Sequence, residues 1–322
     1  MTDVATPKAA RAGGAGGLLR RRRAPHGSLE SQQERFGYAL VAPAVIVLIA
    51  ITAFPLVYNV WNSFHHVNYL NPPVGSFAGL SNYKTLFTDN LFVPSLVRTL
   101  LFTAVSVAIE LVAGLALALA LDKPFRGRGV VRAAIFIPWA VPTVVSAELW
   151  KTMFDPRQGF VNYTLTALHL PLGHTTWLDQ VWTAWTAVFV ADAWKNVPFM
   201  AIILLAGLQV IPRDMYEAAR IDGAGAWQAF WRLTIPLLKP ALMVALVFRT
   251  LSAFLIFDII YIMTGGGPGN STNVLAYLNY TAFISNSDFG YGGAVSVMLV
   301  VIAMLIAAAY VRVFRTDYEV TQ

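Results

Sequence analysis

The sequence predicts an all-α integral membrane protein with a bundle of six transmembrane helices. The 322 residues are 57% hydrophobic and only 12% charged, whereas soluble domains are usually about 25% charged. The mean hydropathy is +0.59, and six apolar runs each reach the roughly 20 residues that a helix needs to cross a bilayer. This composition excludes a soluble enzyme, a coiled coil and a disordered protein. The continuous runs exclude an alternating-strand barrel.

The first element in chain order is a basic leader over residues 1–35. It carries the arginine run Arg20 to Arg23 in Gly- and Ala-rich sequence without apolar periodicity. This composition predicts a disordered cytoplasmic tail that fixes membrane topology beside anionic lipid. A nucleic-acid-binding arm is the less favoured alternative. The apolar stretch that follows is too long for a cleavable signal peptide.

Six apolar segments follow within a predicted transmembrane domain over residues 36–316. Their approximate bounds are 39–61, 97–121, 130–150, 182–208, 240–264 and 291–314. The third segment is interrupted by Pro138 and Pro142. Residues 317–322 are predicted to be a short cytoplasmic C-terminus.

The distribution of lysine and arginine predicts the orientation. Of the 23 basic residues, 17 lie in the leader, in the loops after the second and fourth segments, and at the C-terminus. Four lie on the opposite side and two lie within segments. Because cytoplasmic loops are rich in Lys and Arg, both termini are predicted to be cytoplasmic, in a multi-pass protein of the plasma or inner membrane. The net charge of +6 therefore reflects topology.

The loop over 209–239 is too long and too patterned to be a simple connector. Pro212 suits the start of a helix, and Asp214 suits the positive end of its dipole. Gly223 suits the end of that helix, since glycine adopts left-handed backbone at little cost. A second short helix, rich in aromatic residues, is predicted to end at Pro236. The loop is expected to form two short amphipathic helices at the membrane surface.

This loop carries a Glu-Ala-Ala triplet followed by Asp-Gly-Ala and an aromatic helix ending in Ile-Pro. It resembles the signature cytoplasmic loop of permease subunits in bacterial ABC importers. The motif positions are Glu217, Ala218, Ala219, Asp222 and Gly223. The resemblance implies the type I importer permease fold, with the 212–236 loop coupling to an ATPase subunit.

The same resemblance implies a set of partners and no chemistry in this chain. ATP and Mg²⁺ would be bound by two copies of a cytoplasmic ATPase subunit, so no cofactor or metal is expected here. A second permease subunit would complete a heterodimer in contact with membrane lipid. An extracytoplasmic sugar-binding protein would deliver the substrate.

Other stretches resemble the maltose- and glycerol-phosphate-type sugar permeases. They are the turn from Thr264 to Pro268, the Phe54-Pro55 pair and the Asn82-Tyr83 pair. This branch implies import of a disaccharide or other small oligosaccharide, with trehalose as one candidate. Composition and spacing do not select trehalose.

Ionisable residues within apolar segments are candidates for function because their insertion costs about 2.5–3.5 kcal/mol each. Asp192 and Lys195 stand three residues apart and are expected to neutralise each other, with Glu110, Glu148 and Arg249 as further examples. Sugar hydroxyls need amide, carboxylate or phenol partners, and sugar rings stack on aromatic planes. The sugar-pathway candidates are Trp194, Asn196, Asp258, Tyr261 and Asn279.

Two alternatives come from other functional classes. An ion-coupled secondary sugar transporter acting alone would use Asp192, Lys195 and Asp258 as a proton relay. A membrane enzyme would need a metal or nucleophile site. The histidines of the predicted external segments do not have metal-ligand spacing. These histidines are His65, His66, His169 and His174.

Overall fold

The computed structural model describes residues 27–72 and 74–318. The arginine run and most of the predicted tail lie outside the described residues. Residues 27–35, which the sequence places in the tail, form the first turns of a long helix. The predicted C-terminal segment 317–322 is described only to residue 318, where the last helix ends.

The described residues are mainly helical. The helices are α1 (Gly27–Ser63), α2 (Ser81–Thr88), α3 (Phe92–Asp122), α4 (Arg128–Ala140), α5 (Thr143–Met153), α6 (Phe160–Ala167), α7 (Val181–Val210), α8 (Arg213–Ile221), α9 (Ala226–Ala229), α10 (Ile235–Phe254), α11 (Asp258–Met263), α12 (Leu275–Tyr280) and α13 (Phe289–Tyr318). π-helical turns cover Phe230–Thr234 and Thr281–Ser285. Two short strands, β1 (His65–His66) and β2 (Ser76–Phe77), pair antiparallel.

Five helical segments among the described residues are long and apolar enough to cross a membrane. The α4–α5 pair makes a sixth if it is counted as one span. Four predicted segments coincide with single helices: α1, α3, α7 and α13. The fifth predicted segment includes a break, because α10 ends at Phe254 and the short α11 follows.

The third predicted segment is a sharply bent pair of helices. The axes of α4 and α5 differ by 91°. Val141 has an extended backbone (φ −68°, ψ 132°). Pro142 then precedes the first residue of α5. A proline offers no backbone N–H and disfavours helical backbone in the residue before it, so the helix ends here and a new one starts in another direction.

Pro236 does not end the helix after α8, contrary to the sequence prediction. The backbone runs without interruption from α9 through the π-helical turn Phe230–Thr234 into α10. Pro236 lies in the first turn of α10. The wider π-helical turn changes the hydrogen-bond ladder immediately before the proline, which accommodates a residue that cannot donate.

Helices α3, α7 and α10 pack closely through small residues. A side chain at Gly114 of α3 would stand 2.7 Å from the Met200 side chain of α7. A side chain at Gly207 of α7 would overlap with Ala241 of α10. Small residues allow close backbone approach between membrane helices, where packing rather than water exclusion holds helices together. These three helices carry the buried polar groups described below.

Two polar residues secure the segment between α1 and α3. Asn82 donates from Nδ2 to the carbonyl oxygens of Ser63 (2.9 Å) and His65 (3.0 Å). The Tyr83 hydroxyl lies 2.8 Å from Ser63 Oγ. The Asn-Tyr pair therefore has a structural position at the end of α1, where Asn82 satisfies two backbone carbonyls and Tyr83 contacts the Ser63 hydroxyl.

The loop after α5 is held by one carboxylate. Asp155 accepts the backbone N–H groups of Gln158 (3.0 Å) and Arg157 (2.8 Å). These hydrogen bonds stabilise the charged form and hold the pKa of Asp155 below its ordinary value.

Candidate functional site

The loop between α7 and α10 contains the Glu-Ala-Ala motif on α8, which begins after Pro212. The helix ends in a Schellman motif, in which Gly223 N–H donates to Arg220 O (3.0 Å) and Ala224 N–H donates to Ala219 O (2.8 Å). Gly223 has φ +81°, a conformation that glycine adopts without a Cβ penalty. The helix therefore ends at the predicted position.

The motif residues lie on the surface of α8. Glu217, Ala218, Asp222 and Gly223 are exposed and Ala219 is half-buried. Tyr216, one residue before the motif, faces inward and its hydroxyl lies 3.1 Å from Thr234 Oγ1. This contact attaches α8 to the start of α10 and leaves the motif face open.

Apolar residues are also exposed around the motif. Ile221 is 86% exposed and Trp227 is 74% exposed. The Trp227, Phe230 and Trp231 rings contact one another, with centroid separations between 5.1 and 6.2 Å. Exposed apolar residues beside a charged helix indicate a surface for lipid or a protein partner.

A second polar region lies inside the bundle and consists of Glu110 (α3), Asp192 (α7), Arg249 (α10) and Ser106 (α3). We call these four residues the ionic cluster. Arg249 Nε bonds Glu110 Oε2, and Arg249 Nη2 lies 2.7 Å from Glu110 Oε1. Arg249 Nη2 also bonds Asp192 Oδ2 and lies 3.1 Å from Ser106 Oγ. The cluster links three helices.

Each charged member of the ionic cluster is almost fully buried: Glu110 is 0% exposed, Asp192 3% and Arg249 4%. A buried charge is costly unless it is paired and hydrogen-bonded. Arginine suits this position because its planar guanidinium donates to two carboxylates at once. The buried charges of the ionic cluster are therefore stabilised by one another, and this stabilisation depends on every partner being present.

Lys195 does not pair with Asp192, contrary to the sequence prediction. Asp192 faces Arg249, Ser106 and Asn196. Lys195 Nζ instead donates to the carbonyl oxygens of Trp139 (3.2 Å) and Val141. The last carbonyls of a helix have no intrahelical partner, so the ammonium binds where the α4–α5 bend leaves acceptors free.

The predicted pathway residues lie on three helices, α7, α11 and α12. Asn196 donates from Nδ2 to Asp192 Oδ1 (2.8 Å) beside the ionic cluster. Trp194 packs edge-on to Trp150, with centroids 5.9 Å apart. Asn279 of α12 donates to Ser296 Oγ of α13 (3.0 Å). Both amides therefore have partners within the chain.

Asp258 and Tyr261 lie on α11. Tyr261 belongs to a group of four rings that we call the aromatic cluster, formed by Phe257, Tyr261, Tyr277 and Tyr280. Sequence spacing shows Phe257 and Tyr261 four residues apart, but only the structure brings α12 beside them.

Comparison with known proteins identifies the family. Residues 110–316 match the family model described as "Binding-protein-dependent transport system inner membrane component". The chain belongs to this family. As one of these permease components, it is a non-catalytic membrane subunit of an ATP-driven importer. The alternatives of a secondary transporter acting alone and of a membrane enzyme are therefore wrong.

Similar permeases are found in archaea and bacteria. The chain is 40% identical over 292 residues to the trehalose/maltose transport system permease protein MalF of Thermococcus litoralis, covering 90% of this chain and 97% of that protein. It is 39% identical over 282 residues to the trehalose transport system permease protein SugA of Mycobacterium tuberculosis, covering 88% and 89%.

Solved structures show the same permease fold. A bacterial ABC transporter for import of the acidic polysaccharide alginate matches with a TM-score of 0.76 at 22% identity, covering 91% of this chain and 99% of that chain. The MetNI methionine ABC transporter matches with a TM-score of 0.51, covering 70% and 95%. The ABC importer permease fold predicted from the loop motif is confirmed.

Sequence reasoning missed how the members of the ionic cluster pair in this permease. It singled out Glu110, Asp192 and Arg249 as costly charges but did not pair them across helices. One available signal was charge balance, since an intramembrane arginine needs carboxylates within reach. Ser106 gave no such signal, because a lone serine in an apolar helix is common.

Proposed function

We propose that this permease forms half of the translocation pathway of an ATP-driven sugar importer and couples to its ATPase through the 212–236 loop. The observation that carries the proposal is that Glu217 and Ala218 on the short helix α8, and Asp222 and Gly223 in the turn that ends it, are all exposed. Small side chains allow a partner backbone to come close, and an exposed carboxylate suits a basic group in the partner.

The proposed complex contains a second permease subunit, two copies of a cytoplasmic ATPase subunit and an extracytoplasmic sugar-binding protein, all acting at a lipid bilayer. ATP and Mg²⁺ are assigned to the ATPase subunits. A related solved structure contains an alginate transporter with a periplasmic protein bound to an alginate pentasaccharide. This relative supports delivery of substrate by a binding protein.

The proposed substrate is a disaccharide, with trehalose and maltose as the first sugars to test. Two relatives near 40% identity carry trehalose in their names, and one of them also carries maltose. A third relative at 39% identity is a sulfoquinovosyl glycerol permease of Agrobacterium fabrum. The family therefore accommodates different sugar-containing substrates at similar identity, which makes the uptake assay decisive.

The proposed pathway residues are Trp194, Asn196, Asp258, Tyr261 and Asn279, and the proposed orientation places both termini in the cytoplasm. The proposed membrane domain covers residues 36–316, with the basic leader before it.

The first test measures ATP-dependent uptake of radiolabelled trehalose and maltose by the complete importer in proteoliposomes. We expect Glu217→Lys to reduce uptake more than tenfold, because the substitution places a cation where the partner is proposed to offer one. The amount of chain in the membrane should stay unchanged. Uptake and ATP hydrolysis are measured on the same vesicles.

Glu34→Lys is the matched control, since Glu34 is also an exposed helical carboxylate but lies on α1. Equal uptake by the Glu217→Lys variant and the parent would contradict coupling through α8. Failure of the unchanged importer to take up either sugar would contradict the proposed substrate.

A further inference from the structure

The aromatic cluster is a compact group of rings that reaches the surface. All six ring pairs among Phe257, Tyr261, Tyr277 and Tyr280 have centroids between 5.1 and 6.5 Å apart. Helix α11 and the residue before it supply two rings, and α12 supplies two. Tyr261 is 45% exposed and the other three rings are half-buried. The cluster therefore combines fixed ring geometry with accessible ring surface.

Polar groups accompany the rings. The Tyr280 hydroxyl lies 3.5 Å from the Tyr261 hydroxyl. Asp258 is half-buried and lies directly after Phe257 at the start of α11. Phenol hydroxyls both donate and accept hydrogen bonds, and a carboxylate accepts them. A pyranose ring has apolar C–H faces and hydroxyl groups at its edges. The aromatic ring faces would complement the C–H faces, and the phenol hydroxyls and the carboxylate would complement the sugar hydroxyls.

The glycine-rich turn after α11 fixes one ring of the cluster. A side chain at Gly266 would stand 2.7 Å from Cε1 of Tyr277, so the backbone of this turn lies against the ring. Gly266 has φ +78°. Thr272 braces the turn by donating to Gly267 O (2.7 Å), and its N–H donates to Gly266 O (3.1 Å). The turn thus positions Tyr277.

We propose that the aromatic cluster is a sugar-stacking surface on the translocation pathway and that the Gly266 turn positions it. This inference rests on the proposed sugar-importer function and adds Phe257, Tyr277 and Tyr280 to it. Tyrosines that anchor a protein in the lipid headgroup region contact lipid individually. Here four rings pack on one another with two hydroxyls adjacent, which is the arrangement that preorganises a binding surface.

The test compares Gly266→Ala with Gly269→Ala in the complete importer. Both glycines have positive φ, +78° and +56°, so both substitutions strain the backbone. Only Gly266 faces Tyr277, since nothing lies within 4 Å of a side chain built at Gly269. The readout is trehalose or maltose transported per ATP hydrolysed. We expect a loss of about 2- to 10-fold for Gly266→Ala, the size of one aromatic contact, and no loss for Gly269→Ala.

Ring substitutions provide an independent readout. Tyr261→Ala should lower the sugar transported per ATP, while Tyr261→Phe should retain most of it because the ring face remains. A fall in assembled complex without a change in this ratio would assign the cluster to folding or lipid anchoring and overturn the proposal. Unchanged ratios in Gly266→Ala and Tyr261→Ala would also overturn it.

The two proposals fail in different ways. If the unchanged importer transports sugar and every cluster variant matches it, the stacking surface is wrong and the sugar-importer function stands. If the unchanged importer transports neither trehalose nor maltose, the proposed substrate fails before any variant is compared.

Discussion

Arg249 is the residue on which the interior of the permease depends most. Its guanidinium contacts Glu110, Asp192 and Ser106, and removing it would leave two carboxylates buried without a cation. Breaking a buried ion pair by deleting one partner costs about 3–5 kcal/mol. The energy lies mainly in the unpaired charge that remains.

We therefore expect Arg249→Leu to lower the unfolding temperature of the purified importer and to reduce the free energy of unfolding by about 3–5 kcal/mol. Adding Glu110→Gln and Asp192→Asn to the same chain should recover much of the loss, because no uncompensated charge remains. Arg98→Leu, at a half-buried arginine on the same helix as Glu110, is the control. A triple variant no more stable than Arg249→Leu would contradict this explanation.

The limits of sequence reasoning are clearest at this scale. The cost of an intramembrane charge depends on composition alone, so Glu110, Asp192 and Arg249 could be singled out. Their pairing depends on how three helices rotate against one another. Asp192 and Lys195 share a helix face, yet Lys195 turns to the carbonyls at the α4–α5 bend. Which partner a charged side chain binds depends on tertiary packing, and the spacing of residues along the sequence does not reveal that packing.

Among the elements, α8 was the most predictable. Pro212, Asp214 and Gly223 act through local backbone rules, and the structure has the helix at Arg213–Ile221. The prediction at Pro236 was wrong because the π-helical turn Phe230–Thr234 leads directly into α10, and Pro236 lies in the first turn of that helix, where its missing N–H costs little. The π-helical turn before Pro236 is a tertiary adjustment, and the sequence offers no local signal for it.

The end of α8 leads to a prediction about backbone conformation. Gly223→Pro should reduce sugar uptake at least tenfold, because proline is fixed near φ −65° while this position needs +81°. Gly223→Asn should retain much of the uptake, since asparagine tolerates left-handed backbone better than other residues. The measurement is uptake per assembled complex.

Gly225→Ala is the matched control for this series. Gly225 is exposed two residues further along, has an ordinary φ of −69° and leaves open space for a side chain. Uptake by Gly223→Pro at the level of Gly225→Ala would show that the turn geometry is not needed for coupling.

At the scale of the whole molecule, the permease sequence has no cysteine, so its orientation can be tested with a single introduced thiol that has no competitor in the same chain. Gln228 lies in the loop predicted to be cytoplasmic, and Ser285 lies in the segment predicted to be external. Both are exposed. In intact cells, a membrane-impermeant maleimide should label Ser285→Cys and leave Gln228→Cys unlabelled.

Opening the membranes should make both thiols reactive, which confirms that each site is accessible. Labelling of Gln228→Cys in intact cells would contradict the orientation derived from the basic residues.

The fold class followed from composition because membrane burial demands apolar helices throughout. The 91° bend between α4 and α5 lies at Pro142, as predicted, whereas Pro138 lies inside α4 and does not interrupt the helix.

The ion pair between Asp192 and Arg249 has a mechanical consequence. It joins α7 to α10, the two helices that the 212–236 loop connects. The pair lies about 27 Å along α7 and about 21 Å along α10 from the ends that meet this loop. The two helices are thus joined twice, by the 212–236 loop at one end and by the Asp192–Arg249 ion pair further along. We expect a displacement of α8 to move α7 and α10 together for as long as this ion pair is intact.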